Sequence, residues 1–218
     1  MTYDHTTSWR KFIESNGMDD PPSHATVHDG ATLPPLSPAL DALRTHVLVH
    51  AVRHGDFVLK SGARSAWFLD TKQTACRPDG IVLLADAALA VVPDDATAIG
   101  GLTMGADAFA FGVAAIAAER GRPLRSFSVR KEAKDHGVTG RIAGALQARD
   151  RVVVAEDTVT RGTSLMEAVD VVRQVGAEVV AITVIVDRGG TCAAMAAENG
   201  IPYHPLLTAP DLGFAYGT

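Results

Sequence analysis

Arg151-Val-Val-Val-Ala-Glu-Asp-Thr-Val-Thr-Arg-Gly-Thr-Ser164 joins an apolar run to two acids and then to a short loop of threonine, glycine and serine. The uninterrupted run 152–155 predicts a strand of a parallel sheet covered on both faces, where side chains need not alternate in polarity. Glu156 and Asp157 follow at its C-terminal end, the edge at which open α/β sheets bind ligands. Thr160, Gly162, Thr163 and Ser164 lead into a helix. Their hydroxyls and main-chain amides make an anion cradle, reinforced by the helix dipole. The acids repel phosphate, but they accept hydrogen bonds from sugar hydroxyls or steer a hydrated Mg2+. Acids beside an anion cradle fit a ribose phosphate, whereas a plain strand-to-helix turn explains only the glycine and threonines.

The same grammar extends in both directions. Residues 37–52 predict a helix capped by Ser37, with Pro38 in its first turn. Residues 57–70 predict two strands joined by a turn at Ser61-Gly62. Helices are expected at 80–92, 106–119, 163–175 and 191–199. Strands are expected at 96–100, 124–129, 152–155 and 179–186, with loops at 101–105 and 130–141. This alternation predicts an α/β fold, a central parallel sheet flanked by helices on both faces. Residues 1–35 are polar and proline-bearing, and read as a loosely ordered extension. Trp9, Phe12 and Ile13 could dock one amphipathic turn. The domain proper is 36–218, with a core at about 95–190.

The chain has 218 residues, enough for one such domain with embellishments. Its net charge of −5 argues against a nucleic-acid partner. Cys76 and Cys192 lack a metal-binding spacing and read as reduced thiols of a cytoplasmic protein. No apolar run matches a membrane span, and the N-terminus is too polar for a signal peptide.

Four further clusters carry chemistry. Arg130-Lys-Glu-Ala-Lys-Asp-His-Gly137 concentrates cations in an acidic protein. It reads as a mobile loop closing over a polyanion, or as a solvated surface loop. Lys60-Ser-Gly-Ala-Arg-Ser-Ala-Trp-Phe-Leu-Asp70 brings an aromatic pair onto a strand, either a lid for a flat base or simple core. Phe68 is the favoured lid over Trp67, since adjacent strand residues point oppositely. Asp187-Arg188-Gly-Gly190 offers a guanidinium for a carboxylate, or an ordinary ion pair with Asp187. Gly100-Gly-Leu-Thr-Met-Gly-Ala-Asp107 lets the backbone approach a diphosphate, or is a plain turn.

The segment 151–164 resembles the ribose-phosphate signature of the type I phosphoribosyltransferases, and 130–137 closely resembles the catalytic loop of the orotate phosphoribosyltransferases. The resemblance spans about residues 37–212. It implies that fold, with a small hood built from about 55–75 and the C-terminal segment. It implies transfer of a phosphoribosyl group from 5-phosphoribosyl 1-diphosphate to orotate, with Mg2+ held mainly through substrate, near Glu156 and Asp157. The donor falls to Lys60, Arg130, Lys131, Lys134, His136, Glu156, Asp157, Thr158, Val159, Thr160, Arg161, Gly162, Thr163 and Ser164. Catalysis falls to Lys134, His136, Glu156 and Asp157. Orotate falls to Thr160, Arg188, Phe68 and Trp67. The family's loop acts across a homodimer, which implies the same here. Two positions depart from the usual pattern. Arg161 stands where alanine or threonine is commoner, and Met104 where many relatives have lysine, so Lys72 is a candidate substitute. A strained peptide bond is expected in 100–107. The alternatives are a phosphoribosyltransferase for another base and a non-catalytic ribose-phosphate-binding regulator.

Overall fold

The computed structural model describes residues 33–58, 64–134 and 140–218. Ser37 caps α1 (Pro38–His50), its hydroxyl accepting from the Leu40 amide. A two-stranded antiparallel hairpin follows, β1 (Val52–Val58) with β2 (Arg64–Leu69). Its expected turn, with Lys60, lies outside the described residues. Next come α2 (Lys72–Ala75), α3 (Pro78–Leu89), β3 (Ala98–Leu102) and α4 (Asp107–Glu119). The chain continues through β4 (Arg125–Lys134), β5 (Gly140–Gly144), β6 (Arg151–Val159) and α5 (Thr163–Gln174). It closes with β7 (Glu178–Asp187), α6 (Cys192–Glu198), β8 (Tyr203–Thr208) and a 3-10 turn at Pro210–Leu212.

The main sheet has six strands in the order β5-β4-β3-β6-β7-β8. All neighbours pair in parallel except β4 with β5. β6 sits inside the sheet, and its side chains feed two cores. Val153 and Ala155 pack with α1, α3 and α4, while Val152 and Val154 pack with α5 and α6. Burial on both faces is why the run lacks polar alternation. Among the described residues no helix is long and apolar enough to cross a membrane.

Two expectations are corrected. Glu156 and Asp157 do not follow the strand, because β6 runs on through them to Val159. The cationic segment does not begin as a loop. Arg130 to Lys134 extend β4, and Gly140 and Arg141 start the antiparallel β5, so the segment forms the arms of a hairpin. Residues 135–139, with His136, lie outside the described residues. The strand β8 has no counterpart in the sequence reading. Residues 1–32, including Trp9, Phe12 and Ile13, also lie outside the described residues.

Candidate active site

β6 delivers its acids to a narrow polar cavity of about 320 Å³, lined by Lys72, Leu102, Thr103, Met104, Gly105, Lys131, Glu156, Asp157, Thr158 and Ser164. Glu156 is buried, and its Oε1 accepts from the Asp157 amide at 3.1 Å. Burial, then the neighbouring Asp157 charge, pushes the Glu156 carboxyl up to about 8. Asp157 is held twice. Its Oδ1 accepts from the Thr158 amide at 2.7 Å, and its Oδ2 lies 2.6 Å from the Lys72 ammonium. Burial works against the Lys72 charge. The Asp157 hydrogen bond and the charges of Asp157, Asp70 and Glu156 outweigh it and raise the Lys72 pKa.

The β3–α4 loop closes this cavity from the other side. A side chain at Gly105 would collide with Glu156 Oε1 and press on the Asp157 carboxylate, so the loop approaches the acids only because that residue is glycine. Asp107 anchors the loop, accepting from Thr103 Oγ1 and from Ser128 Oγ, both at 2.7 Å. The Thr103–Met104 peptide is cis. Met104 points outward, 72% exposed, so the cations at this cavity are Lys72 and Lys131.

Glu156, Thr158 and Ser164 also border a larger cavity of about 790 Å³. Its floor is the loop from Val159 to Thr163 and its far wall is Arg188, Gly189, Thr191 and Gly217. Gly162 enters α5 with φ of 75°, a left-handed conformation, packed against Met195 and Cys192. The amides of the first turn of α5 have no intrahelical acceptors and remain donors for an anion. Arg161 is exposed.

Asp187 does not pair with Arg188. Its Oδ1 accepts from the Gly189 and Gly190 amides, each at 2.9 Å, and its Oδ2 from the Tyr203 hydroxyl at 2.9 Å. Burial, then the Asp187 charge, raises the Tyr203 pKa. The turn so fixed turns Arg188 toward the hairpin. The guanidinium lies 4.0 Å from the Trp67 ring centroid and donates to the Thr218 main-chain oxygen at 2.7 Å. Its Nε is buried without a hydrogen-bond partner. Trp67 stacks on Phe214 at 3.9 Å, with planes 3° apart. Phe68, the favoured lid, faces the other way and meets Phe57. The structure therefore brings Trp67, not Phe68, to Arg188.

The hairpin residues divide. Lys131 lines the acid-bearing cavity of its own chain. Arg130 instead donates to the carbonyls of Gly140 at 3.1 Å and Ile142 at 3.4 Å on β5. Lys134 ends β4. Sequence reasoning missed Lys131's separation from Arg130 and raised Lys72 only as a substitute for a missing lysine. No signal in the sequence pairs Lys72 with Asp157.

A mostly parallel sheet, two acids at the end of a buried strand and a glycine-gated helix N-terminus define the type I phosphoribosyltransferase class. No family model matches the chain. Curated relatives do: it is 40% identical to the orotate phosphoribosyltransferase of Streptomyces avermitilis, over 79% of this chain and 96% of that one. With the enzyme of Streptomyces coelicolor it shares 42% identity, over 75% and 91%. A crystal structure of Mycobacterium tuberculosis orotate phosphoribosyltransferase in complex with 5-phospho-α-D-ribosyl 1-diphosphate matches with a TM-score of 0.69 at 31% identity, covering 81% of this chain and 100% of that one. An adenine phosphoribosyltransferase from Rhodothermus marinus, 19% identical with a TM-score of 0.54, shares the fold. The chain belongs to the orotate phosphoribosyltransferase family.

Proposed function

We propose that the chain transfers the phosphoribosyl group of 5-phosphoribosyl 1-diphosphate to N1 of orotate, giving orotidine 5′-monophosphate and diphosphate for UMP synthesis. One observation carries the reading beyond family membership: a single cavity joins the acid Glu156, the α5 cradle and the Arg188 guanidinium. Orotate carries a carboxylate for Arg188, and uracil, adenine and hypoxanthine do not.

The donor's 5-phosphate sits on the Thr160–Ser164 loop and the first amides of α5. Glu156 and Asp157 accept from the ribose hydroxyls, and the negative charge of Asp157 favours the cationic sugar of the transition state. The diphosphate extends into the smaller cavity, toward Lys72, Lys131 and the Gly105 turn. Arg188 takes the orotate carboxylate, with the buried Trp67 ring backing its guanidinium and the hairpin β1–β2 plus the C-terminal segment as a hood. Orotate N1 attacks opposite the departing diphosphate, with inversion and without a covalent enzyme intermediate. Lys134 and His136, supplied by the second subunit of a homodimer, close over the leaving group and exclude water. Lys131, at the base of that hairpin, serves its own subunit.

The donor set suits Mg2+. Two adjacent carboxylates line the cavity, too few for a dedicated cage and enough for an ion that keeps its waters and leans on substrate phosphates. An Mg2+ held there by Asp157 and Glu156 together with substrate oxygens would supply positive charge to offset that of the diphosphate. Both cysteines are free, as in a cytoplasmic enzyme.

The test is to mix the protein, Mg2+, donor and orotate and follow the loss of orotate absorbance. Turnover with orotate, and none with uracil, adenine or hypoxanthine, is the expected result. Turnover with another base alone overturns the choice of acceptor, and inertness toward all of them overturns the enzymatic reading.

A further inference from the structure

His46 and His50 lie one helical turn apart on α1, with ring centroids 4.4 Å apart. Asp79, in the first turn of α3, faces them. One donor atom from each of the three lies within 4.8 Å of the others. None of the three lines either cavity of the nucleotide site.

His46 is the informative member. It is 2% exposed, and its Nδ1 lies 3.2 Å from Thr74 Oγ1. Its Nε2 lies 3.3 Å from Asp79 Oδ2, close enough for an ion pair. Yet Nε2 and Asp79 Oδ1 are both buried without a hydrogen-bond partner. Nε2 and Oδ2 are close enough for the Asp79 contact to push the His46 pKa up against the larger effect of burial, but they do not form a hydrogen bond of ordinary geometry. An ordinary His–Asp pair would align an N–H with the carboxylate oxygen. The three donor atoms lie within 4.8 Å of one another, with His46 buried and His50 and Asp79 partly buried.

We propose that His46, His50 and Asp79 form a binding site for a divalent transition metal, Zn2+ by its ligand chemistry, that ties α1 to α3. Two imidazoles and a carboxylate suit Zn2+, whereas Mg2+ prefers an all-oxygen shell. Thr74 at Nδ1 orients the ring so that Nε2 faces the ion. Burial lowers the pKa of His46 despite the Asp79 charge, and burial with the Arg77 charge lowers that of His50. Burial of the rings thus favours the neutral imidazole, the form that ligates. Zn–N and Zn–O distances of about 2.0–2.2 Å require the outermost donors to close by roughly an ångström. Rotation of the half-buried His50 supplies that movement.

The experiment uses the full chain, stripped with chelator and dialysed, and titrated calorimetrically with ZnCl2. Wild type, His50→Ala and Asp79→Asn are compared, with Co2+ absorption spectra and melting temperatures recorded alongside. Wild type should bind one Zn2+ in this site, melt several degrees higher with the ion, and show Co2+ ligand-field bands. Both variants should melt near wild type without metal, bind Zn2+ at least about tenfold more weakly, and lose the bands and the thermal gain. Absence of Zn2+ binding by wild type overturns the proposal. So does equal affinity in the variants, which would place the ion on other histidines.

Discussion

Lys72 Nζ lies 2.6 Å from Asp157 Oδ2, joining residues 85 positions apart in the lining of the acid-bearing cavity. The pair places a cation at the acid-bearing cavity, where the β3–α4 loop itself contributes Met104. The ammonium is attached to α2 rather than to that loop. It neutralises one acid while the other, Glu156, is buried beside it.

Lys72→Ala should therefore raise the Michaelis constant for the donor about tenfold or more, since hydrogen bonds to charged groups contribute about 1.5–3 kcal/mol. The constant for orotate should move little. Steady-state kinetics with each substrate varied separately checks this, and an unchanged donor constant would remove Lys72 from the diphosphate end of the site.

Arg188→Ala should cost orotate binding about 2 kcal/mol or more, roughly 30-fold. Arg188→Lys should restore little, because an ammonium cannot make the planar two-point contact and stacks poorly on Trp67. The melting temperature should fall modestly in the alanine variant, as the contact with the Trp67 ring at 4.0 Å is lost. Orotate titration and thermal melts separate the two effects.

The Glu156 carboxyl, pushed up to about 8, makes stability depend on pH. In the unfolded chain it titrates near 4.5. Between those values the folded state keeps a proton that the unfolded state releases. Stability thus falls as pH rises through that window and levels off above it. Glu156→Gln cannot ionise and keeps the Oε1 acceptor for the Asp157 amide. Its melting temperature should match wild type at about pH 5 and exceed it at about pH 8.5, by roughly 2–4 °C per kcal/mol regained. Its activity should be strongly reduced at both. Equal melting profiles would refute the assigned titration.

Gly105→Ala should leave the fold intact and reduce turnover by about tenfold or more, because the methyl group displaces the Glu156 and Asp157 carboxylates. Circular dichroism and the orotate assay together check this. Wild-type turnover would mean that the loop yields without disturbing the acids.

Elements whose pattern reflects local physics were legible in advance. Val152 to Ala155 face a core on either side, and that shows as an unbroken apolar run. Ser37 and Pro38 mark the start of α1 by chemistry confined to one turn. The charged arm of β4 was not legible as strand. Its extended form rests on main-chain pairing with β5, such as Lys134 with Gly140, and main-chain bonds leave no mark on side-chain polarity. Likewise β8 is held by parallel pairing with β7, and its half-polar sequence shows no alternation.

The sequence by itself determined the alternation of strands and helices through the core, the adjacent acids, the Thr/Gly turn after them and the family, because these are properties of contiguous residues. Only the tertiary structure decided which distant side chains meet. It put Lys72 on Asp157, chose Trp67 rather than Phe68 to face Arg188, and turned Arg130 onto the hairpin while leaving Lys131 at the cavity. The reason lies in geometry. A strand's pleat sends neighbours to opposite faces, and which face meets the site depends on how the sheet, the hairpin and the helices pack together.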